Sequence, residues 1–167
     1  NRVDKAPEKS CHVQTAGLQE WEIRKALSCG ELEVHYQPKI SCASGKVLGA
    51  EALVRWNHPE HGLVLPSLFI EAAERFKLID TLTYVVAEQA INTLGTWHKA
   101  GLTLSLAINL SAQSLYSLDL PEKLMEYLER AQIDPKYLTL EITEGHVLEE
   151  LSAPMEIWTR LCLKGLG

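Results

Sequence analysis

The chain has 167 residues, of which 46% are hydrophobic and 23% are charged, an ordinary composition for one globular domain. Its 22 acidic residues outnumber its 16 basic residues, so its formal net charge is −6. This balance argues against DNA or RNA as a partner, because non-specific affinity for nucleic acids depends on Lys and Arg side chains that neutralise phosphates. It also means that a phosphate ester could bind only where cations offset the acidic groups.

Structural zinc and a membrane span are both unexpected from the residue pattern. The four cysteines form no CxxC pair, and no histidine lies at zinc-finger spacing. His58 and His61, in a loop rich in Pro and Gly, are expected to be turn or rim residues rather than ligands. No apolar run approaches the roughly 20 residues that span a bilayer. A cytoplasmic location is expected, and anchoring through other segments of a longer parent protein is left open.

The first 16 residues differ in character from the rest. Residues 1–16 are polar and without period, which is typical of a linker or an arm. Residues 17–167 are predicted to form one domain. The chain begins with Asn1 rather than Met, which indicates a piece of a longer protein, in which a sensor or receiver domain could lie upstream.

Beyond the arm, strand and helix patterns alternate. A first helix is expected at 18–28, ended by Gly30, and two strands on either side of a turn at 41–45 are expected to form a hairpin. Asp80 is expected to cap a long helix, and residues 57–65 to form a loop. The other predicted boundaries are strands 32–37, 46–56, 102–110 and 137–143, and helices 66–77, 81–100, 121–131 and 153–164.

This order predicts an α/β protein built from βα units, with a largely parallel sheet. Four strands with their helices make about half of an eight-stranded α/β barrel.

Three polar groups lie near the carboxyl ends of predicted strands: Glu51, Asn109 and Glu141. Active sites of α/β barrels are built at that end of the strands. A carboxylate in a strand otherwise rich in Val, Leu and Ala is costly to bury unless it is paired or binds a metal. Carboxylate and amide oxygens are hard ligands that suit Mg²⁺ or Mn²⁺. The spacing therefore favours a metal site.

Plainer interpretations of the same residues remain open from spacing alone. Glu51 could form a structural ion pair with Arg55, and Asn109 could belong to an ordinary turn or helix cap. Glu144 could be a first-turn acid of the helix that follows.

At these residues the sequence resembles the EAL domain family, in order and spacing, over residues 17–167. One tripeptide would mean little, because Glu-Ala-Leu is common in helices. Five motifs in register make chance agreement a poor explanation. They are Tyr36–Lys39 (YQPK), Glu51–Trp56 (EALVRW), Pro66 with Phe69–Ile70 and Ala73–Glu74, Asn109–Ser111 (NLS), and Glu141–Glu144 (EITE).

The resemblance implies a fold and a reaction. EAL domains are modified (β/α)₈ TIM-like barrels whose first strand is antiparallel, and this chain is expected to contain about four of the strands with their helices. The family hydrolyses the bacterial second messenger cyclic di-GMP to linear pGpG, using Mg²⁺ or Mn²⁺ in a two-metal site. Cyclic di-GMP is then the expected partner, and the switch between motility and biofilm the expected process.

The resemblance also assigns roles to residues. Glu51, Asn109 and Glu141 would be metal ligands, and the bound ions would offset the acidic charge of the cleft.

The remaining roles concern the substrate and a loop. Arg55 would contact a phosphate, since its planar fork suits the phosphate oxygens. Gln37 and Leu53 would help to hold the dinucleotide. Glu144 would act in catalysis indirectly, by holding a loop after the next strand.

The sequence departs from the family by ending at Gly167, before the family's later aspartates, lysine, glutamate and glutamine. We therefore expect these 167 residues alone to be inactive, and their open sheet edges to favour self-association into a homo-oligomer. Two alternatives remain: a non-catalytic cyclic di-GMP-binding or protein-interaction module derived from an EAL domain, and an unrelated barrel hydrolase.

Overall fold

The computed structural model describes residues 17–143 and 152–167. The predicted arm at 1–16 and Glu144 lie outside the described residues. The helices and strands are α1 (Glu20–Cys29), β1 (Leu32–Ile40), β2 (Val47–His58), β3 (Gly62–Val64), α2 (Pro66–Arg75), α3 (Ile79–Lys99), β4 (Ser105–Ser111), α4 (Leu120–Ala131), β5 (Leu138–Thr143) and α5 (Ser152–Leu163). Two short 3-10 helices lie at Ala112–Tyr116 and Pro135–Tyr137.

These strands form one mixed sheet. Its order is β1-β2-β4-β5, and β3 pairs with the end of β2. The β1–β2 pair is antiparallel, whereas β2–β4 and β4–β5 are parallel. This arrangement confirms the α/β class, the predicted hairpin and the antiparallel first strand of an open, TIM-like sheet. Beside β5, the backbone of Gly167 bonds to Leu138 and Leu140, where the next strand of such a barrel would lie.

The core lies between the sheet and the helices. On β4, Leu106, Ile108 and Leu110 are buried, whereas Asn109 between the last two is exposed. Each buried Leu or Ile contributes about 1.5–3 kcal/mol of hydrophobic stabilisation. The sheet therefore has a helix-covered outer face and an opposite inner face, and successive residues of a strand alternate between them. On α3, a stripe at four-residue spacing packs into the core: Leu82, Val86, Ala90 and Leu94.

Glycine is required where two parallel strands approach closely. A Cβ atom at Gly49 on β2 would lie 2.3 Å from the hydroxyl oxygen of Ser105 and 2.4 Å from its carbonyl oxygen. In the hairpin turn, Gly45 has φ 68°, which confirms its prediction as the main turn residue.

Three local predictions differ from the structure. The predicted loop 57–65 contains β3, because Gly62–Val64 pairs back onto β2. Asp80 does not cap α3: α2 ends at Arg75, Lys77 turns the chain with φ 57°, and α3 begins at Ile79 with Leu78 as its cap residue. The third predicted strand begins at Ser105 rather than at 102.

No helix within residues 17–143 and 152–167 combines the length and the apolar character that a bilayer span requires.

Candidate active site

The inner face of the sheet collects polar side chains from four strands. Gln37 lies directly opposite Glu51 in the β1–β2 register, so both project to the same face. Asn109 and Glu141 are neighbours in the β4–β5 register. The buried residues Ala52 and Trp56 mark the opposite side of β2. The structure therefore brings Gln37 and the three predicted metal ligands to one face. All four side chains are at least partly exposed.

Asn109 links the two carboxylates of this face. Its amide Nδ2 donates a hydrogen bond to Glu51 Oε1 at 2.7 Å. Glu51 itself is level with Ala107, one inner-face step before Asn109. Of the described side chains, Asn109 is the sole hydrogen-bond partner of the Glu51 carboxylate.

Glu141 has a different partner, which the sequence interpretation missed. Lys39 Nζ on β1 lies 2.5 Å from Glu141 Oε1 on β5, in an ion pair whose side chains are 44% and 40% exposed. Lys39 is two residues after Gln37, so alternation places it on the inner face. That signal was present in the YQPK motif, but nothing in the sequence indicates that its ammonium group reaches a strand 102 residues away.

Arg55 does not form the structural ion pair with Glu51 that the sequence left open. Its Nη1 donates to the carbonyl of Val54 at 2.8 Å. Within the described ranges, no carboxylate lies within ion-pair distance of its guanidinium group. One backbone bond thus orients Arg55 and leaves most of its five N–H donors available.

A cleft of about 220 Å³ opens beside this arginine. It exists because β2 and β4 pair only as far as Ala52 and Ile108, after which the end of β2 pairs with β3 instead. Leu53, Arg55 and Asn109 all line the cleft, together with apolar side chains from α2 and α3: Ile70, Ile79, Leu82 and Val86. The volume is below the ~300–1,000 Å³ of typical ligand pockets, so the cleft has room for only part of a ligand of ordinary size.

A second polar cluster lies at the far end of β2, and we name Glu22, His58 and His61 the histidine corner. Their possible ligand atoms lie within 4.8 Å of one another. His58 Nδ1, however, accepts backbone N–H groups from Glu60 at 3.1 Å and His61 at 3.2 Å. The imidazole hydrogen must then be on Nε2, which faces Glu22 Oε1 at 3.4 Å.

This tautomer leaves His58 without a lone pair for a metal. The histidine instead closes the turn between β2 and β3 and ties it to α1, while the His61 ring stacks on it at 4.4 Å. Beside the corner, buried Trp56 donates its indole N–H to Glu31 at 3.0 Å. That hydrogen bond is the largest cause of a lowered pKa at Glu31, and Lys25 lowers the pKa further.

The inner-face residues fit a hard divalent ion better. They offer two carboxylates and an amide oxygen, and both carboxylates already bind positively polarised donors: an amide N–H and an ammonium group. Rotation of the Asn109 amide by 180° would put its oxygen beside Glu51, since the two ends of an amide have nearly the same shape.

Comparison with known proteins agrees with this geometry. The sequence profile of the EAL domain matches residues 20–167. The chain is 34% identical over 147 residues to MucR of Pseudomonas aeruginosa, a bifunctional diguanylate cyclase/cyclic di-GMP phosphodiesterase; the match covers 87% of this chain and 22% of MucR. It is 32% identical over 146 residues to the cyclic di-GMP phosphodiesterase RocR of the same organism, covering 87% of this chain and 37% of RocR. The chain therefore spans well under half the length of these relatives.

Solved structures give the same result. A Pseudomonas aeruginosa MucR phosphodiesterase in complex with c-di-GMP superposes with a TM-score of 0.80 at 34% identity, covering 88% of this chain and 60% of that one. The FimX EAL domain of Xanthomonas citri superposes with a TM-score of 0.76 at 20% identity, covering 87% of this chain and 56% of the other, which supports the fold alone. From its motifs, its sheet and the matched profile, the chain belongs to the EAL domain family.

Proposed function

We propose that the protein is a cyclic di-GMP phosphodiesterase that uses Mg²⁺ or Mn²⁺ to hydrolyse one phosphodiester bond and release linear pGpG. The observation that carries the proposal is the meeting of Glu51, Asn109 and Glu141 on the inner face, next to the cleft that holds Arg55. Relatives named as cyclic di-GMP phosphodiesterases support this choice of substrate.

Glu51, Asn109 and Glu141 would hold the metal. A bound divalent ion would offset phosphate charge and lower the pKa of water. The protein's own part is placement: two carboxylates, from β2 and β5, approach the amide on β4, which contacts one and is the register neighbour of the other. Because the three come from strands of one sheet, their positions are held by the backbone ladder rather than by a loop.

Gln37, Leu53 and Arg55 would hold the substrate. The Arg55 guanidinium would form charge-assisted hydrogen bonds to a non-bridging phosphate oxygen. Leu53, with the apolar wall of the cleft, would exclude water from one side of the dinucleotide. Gln37 is exposed, and no hydrogen bond of its side chain occurs in the part of the chain that is described, so its amide can meet the ligand. Glu144 is proposed to position a loop.

Three broader assignments accompany this function. We propose that residues 17–167 belong to one EAL domain, that the protein acts in the cytoplasm, where a second messenger is degraded, and that it self-associates. Exposed apolar side chains at the hairpin end of the sheet support self-association: Ile40 is 56%, Val47 48% and Leu48 58% exposed.

The test is hydrolysis of cyclic di-GMP by the full natural protein with Mg²⁺ or Mn²⁺, with pGpG measured by chromatography. Glu51→Gln and Glu141→Gln are each expected to remove pGpG formation, because an amide cannot replace a charged metal ligand. The matched control is Glu129→Gln, which changes an exposed acid on α4 and should retain activity. Binding of cyclic di-GMP without pGpG in the unaltered protein would favour a non-catalytic binding module instead.

A further inference from the structure

The ion pair between Lys39 and Glu141 lies within the proposed metal site, yet none of the roles above uses Lys39. We propose that Lys39 is a built-in counter-cation that competes with the divalent metal for Glu141 and thereby sets the metal affinity of the site. This inference rests on the proposed function, since it concerns the affinity of the same carboxylates for their metal.

The fold gives the lysine a path to its partner. Lys39 is on β1 and Glu141 on β5, so the side chains must meet across the two strands between them. In the register, Lys39 is opposite Gly49, and Gly49 is level with Ser105. Both residues are small, so the lysine can cross them diagonally toward Glu141, which is level with Asn109, four residues further along β4 than Ser105.

The two carboxylates of the site are therefore not equivalent. Glu51 is bonded to a neutral amide, which can remain beside it when a cation arrives. Glu141 is bonded to a full positive charge, which a divalent ion must displace from that oxygen or repel at close range. A lysine ammonium is a compact point charge on a flexible stem, so it can withdraw into solvent when it is displaced.

The exposure of the pair makes this exchange possible. The Lys39 and Glu141 side chains are 44% and 40% exposed, which is typical of a weak surface ion pair rather than a locked buried one. Lys39 would thus keep the acidic site neutralised at low metal concentration and yield to the metal at higher concentration. The physical result is a site with lower metal affinity than its ligands alone would give.

The experiment compares Lys39→Met with Lys39→Arg in the full natural protein. Methionine keeps an unbranched side chain but removes the charge, whereas arginine keeps the charge. Binding of Mn²⁺ alone is measured by titration calorimetry at fixed ionic strength. We expect Lys39→Met to bind Mn²⁺ about tenfold more tightly, within the range of coupling between interacting sites. Lys39→Arg should remain close to the unaltered protein.

A second readout is thermal. Addition of Mn²⁺ should raise the melting temperature of Lys39→Met more than that of the unaltered protein, because tighter binding to the folded state gives more stabilisation. Equal or weaker Mn²⁺ binding by Lys39→Met would overturn the role of Lys39. If the unaltered protein binds Mn²⁺, Glu51→Gln does not, and Lys39→Met binds Mn²⁺ no more tightly than the unaltered protein, the Lys39 inference alone fails. If the unaltered protein binds no Mn²⁺ and forms no pGpG, the proposed function fails with it.

Discussion

The inner-face site and the histidine corner are both clusters of residue types that bind metals, and they differ in what occupies their ligand atoms. On the inner face, the carboxylates of Glu51 and Glu141 contact other side chains, an amide and an ammonium group, and both are partly exposed. In the corner, the Nδ1 atom of His58 accepts two backbone N–H groups, and His58 is only 7% exposed.

This difference teaches that residue type and proximity do not make a metal site. Side-chain partners can rotate away, so the inner-face oxygens remain available to a cation. Backbone N–H groups cannot move without the turn being rebuilt, and the loss of their shared acceptor costs free energy. The corner is therefore a structural element, although it contains the ligands of a good zinc site.

The largest effect that would test this comparison is the loss of stability expected on substitution of His58. His58→Ala would leave two backbone N–H groups without their acceptor and remove a buried ring, at about 3 kcal/mol of unfolding free energy in total. His58→Asn should recover much of that loss, because an Asn side-chain oxygen can accept the same N–H groups in an Asx turn. Urea denaturation measures all three proteins, with His61→Ala as the control. A small effect of His58→Ala would remove the structural role assigned to the corner.

A somewhat smaller effect is expected at Arg55. Arg55→Met should weaken cyclic di-GMP binding about 30-fold, since a hydrogen bond from a charged group contributes about 2 kcal/mol. Titration calorimetry in EDTA, which prevents turnover, measures the affinity. The control is Arg24→Met, which removes an exposed arginine paired with Glu20 on α1. Equal losses in the two variants would show that general charge, rather than the cleft, attracts the ligand.

The stability of the protein should depend modestly on pH through Glu31, which lies beside the histidine corner. Its pKa is lowered in the folded state, first by the indole N–H of Trp56. A lowered pKa stabilises the fold above the ordinary Glu pKa, and that stabilisation is lost as the pH falls through the folded-state value. Glu31→Gln should therefore have a lower melting temperature than the unaltered protein at pH 7, and this difference should disappear toward pH 3. A difference in melting temperature that does not change with pH would contradict the lowered pKa.

The smallest effect is expected at Asp80, which lies in neither cluster. Desolvation raises the pKa of Asp80, while a hydrogen bond from Ser114 partly opposes that rise. Its Oδ1 has no hydrogen-bond partner within the described residues. The contribution of such a group is present below the ordinary Asp pKa and is lost as the pH rises through the folded-state value. Asp80→Asn should thus gain in melting temperature, relative to the unaltered protein, between pH 3 and pH 7. A relative loss over that range would contradict the raised pKa.

The sequence predicted the parts of this account that depend on local pattern. Alternation and turn residues were enough for the hairpin of β1 and β2. Strand position and the family motifs pointed to Glu51, Asn109 and Glu141, whose role as metal ligands stays a prediction. The βα order was enough for the open, largely parallel sheet that gathers them.

The sequence could not predict features that depend on tertiary contact. The Lys39–Glu141 pair joins strands at opposite ends of the sheet. The tautomer of His58 depends on a turn whose strand β3 is only three residues long. The start of α3 at Ile79 depends on the left-handed conformation of Lys77, which is uncommon outside glycine. None of these has a periodic signal in the chain.

The measurement that most directly tests the central claim is Mn²⁺ binding, by titration calorimetry, to the full natural protein and to two matched variants, Glu141→Gln and Glu22→Gln. Each variant changes one glutamate of one cluster into its neutral isostere. The account predicts that Glu141→Gln weakens Mn²⁺ binding by about 100-fold, because loss of a ligand should cost at least as much as loss of a residue that supports one. It predicts that Glu22→Gln leaves Mn²⁺ binding unchanged. Loss of binding in Glu22→Gln with retention in Glu141→Gln would place the metal in the histidine corner and contradict the account.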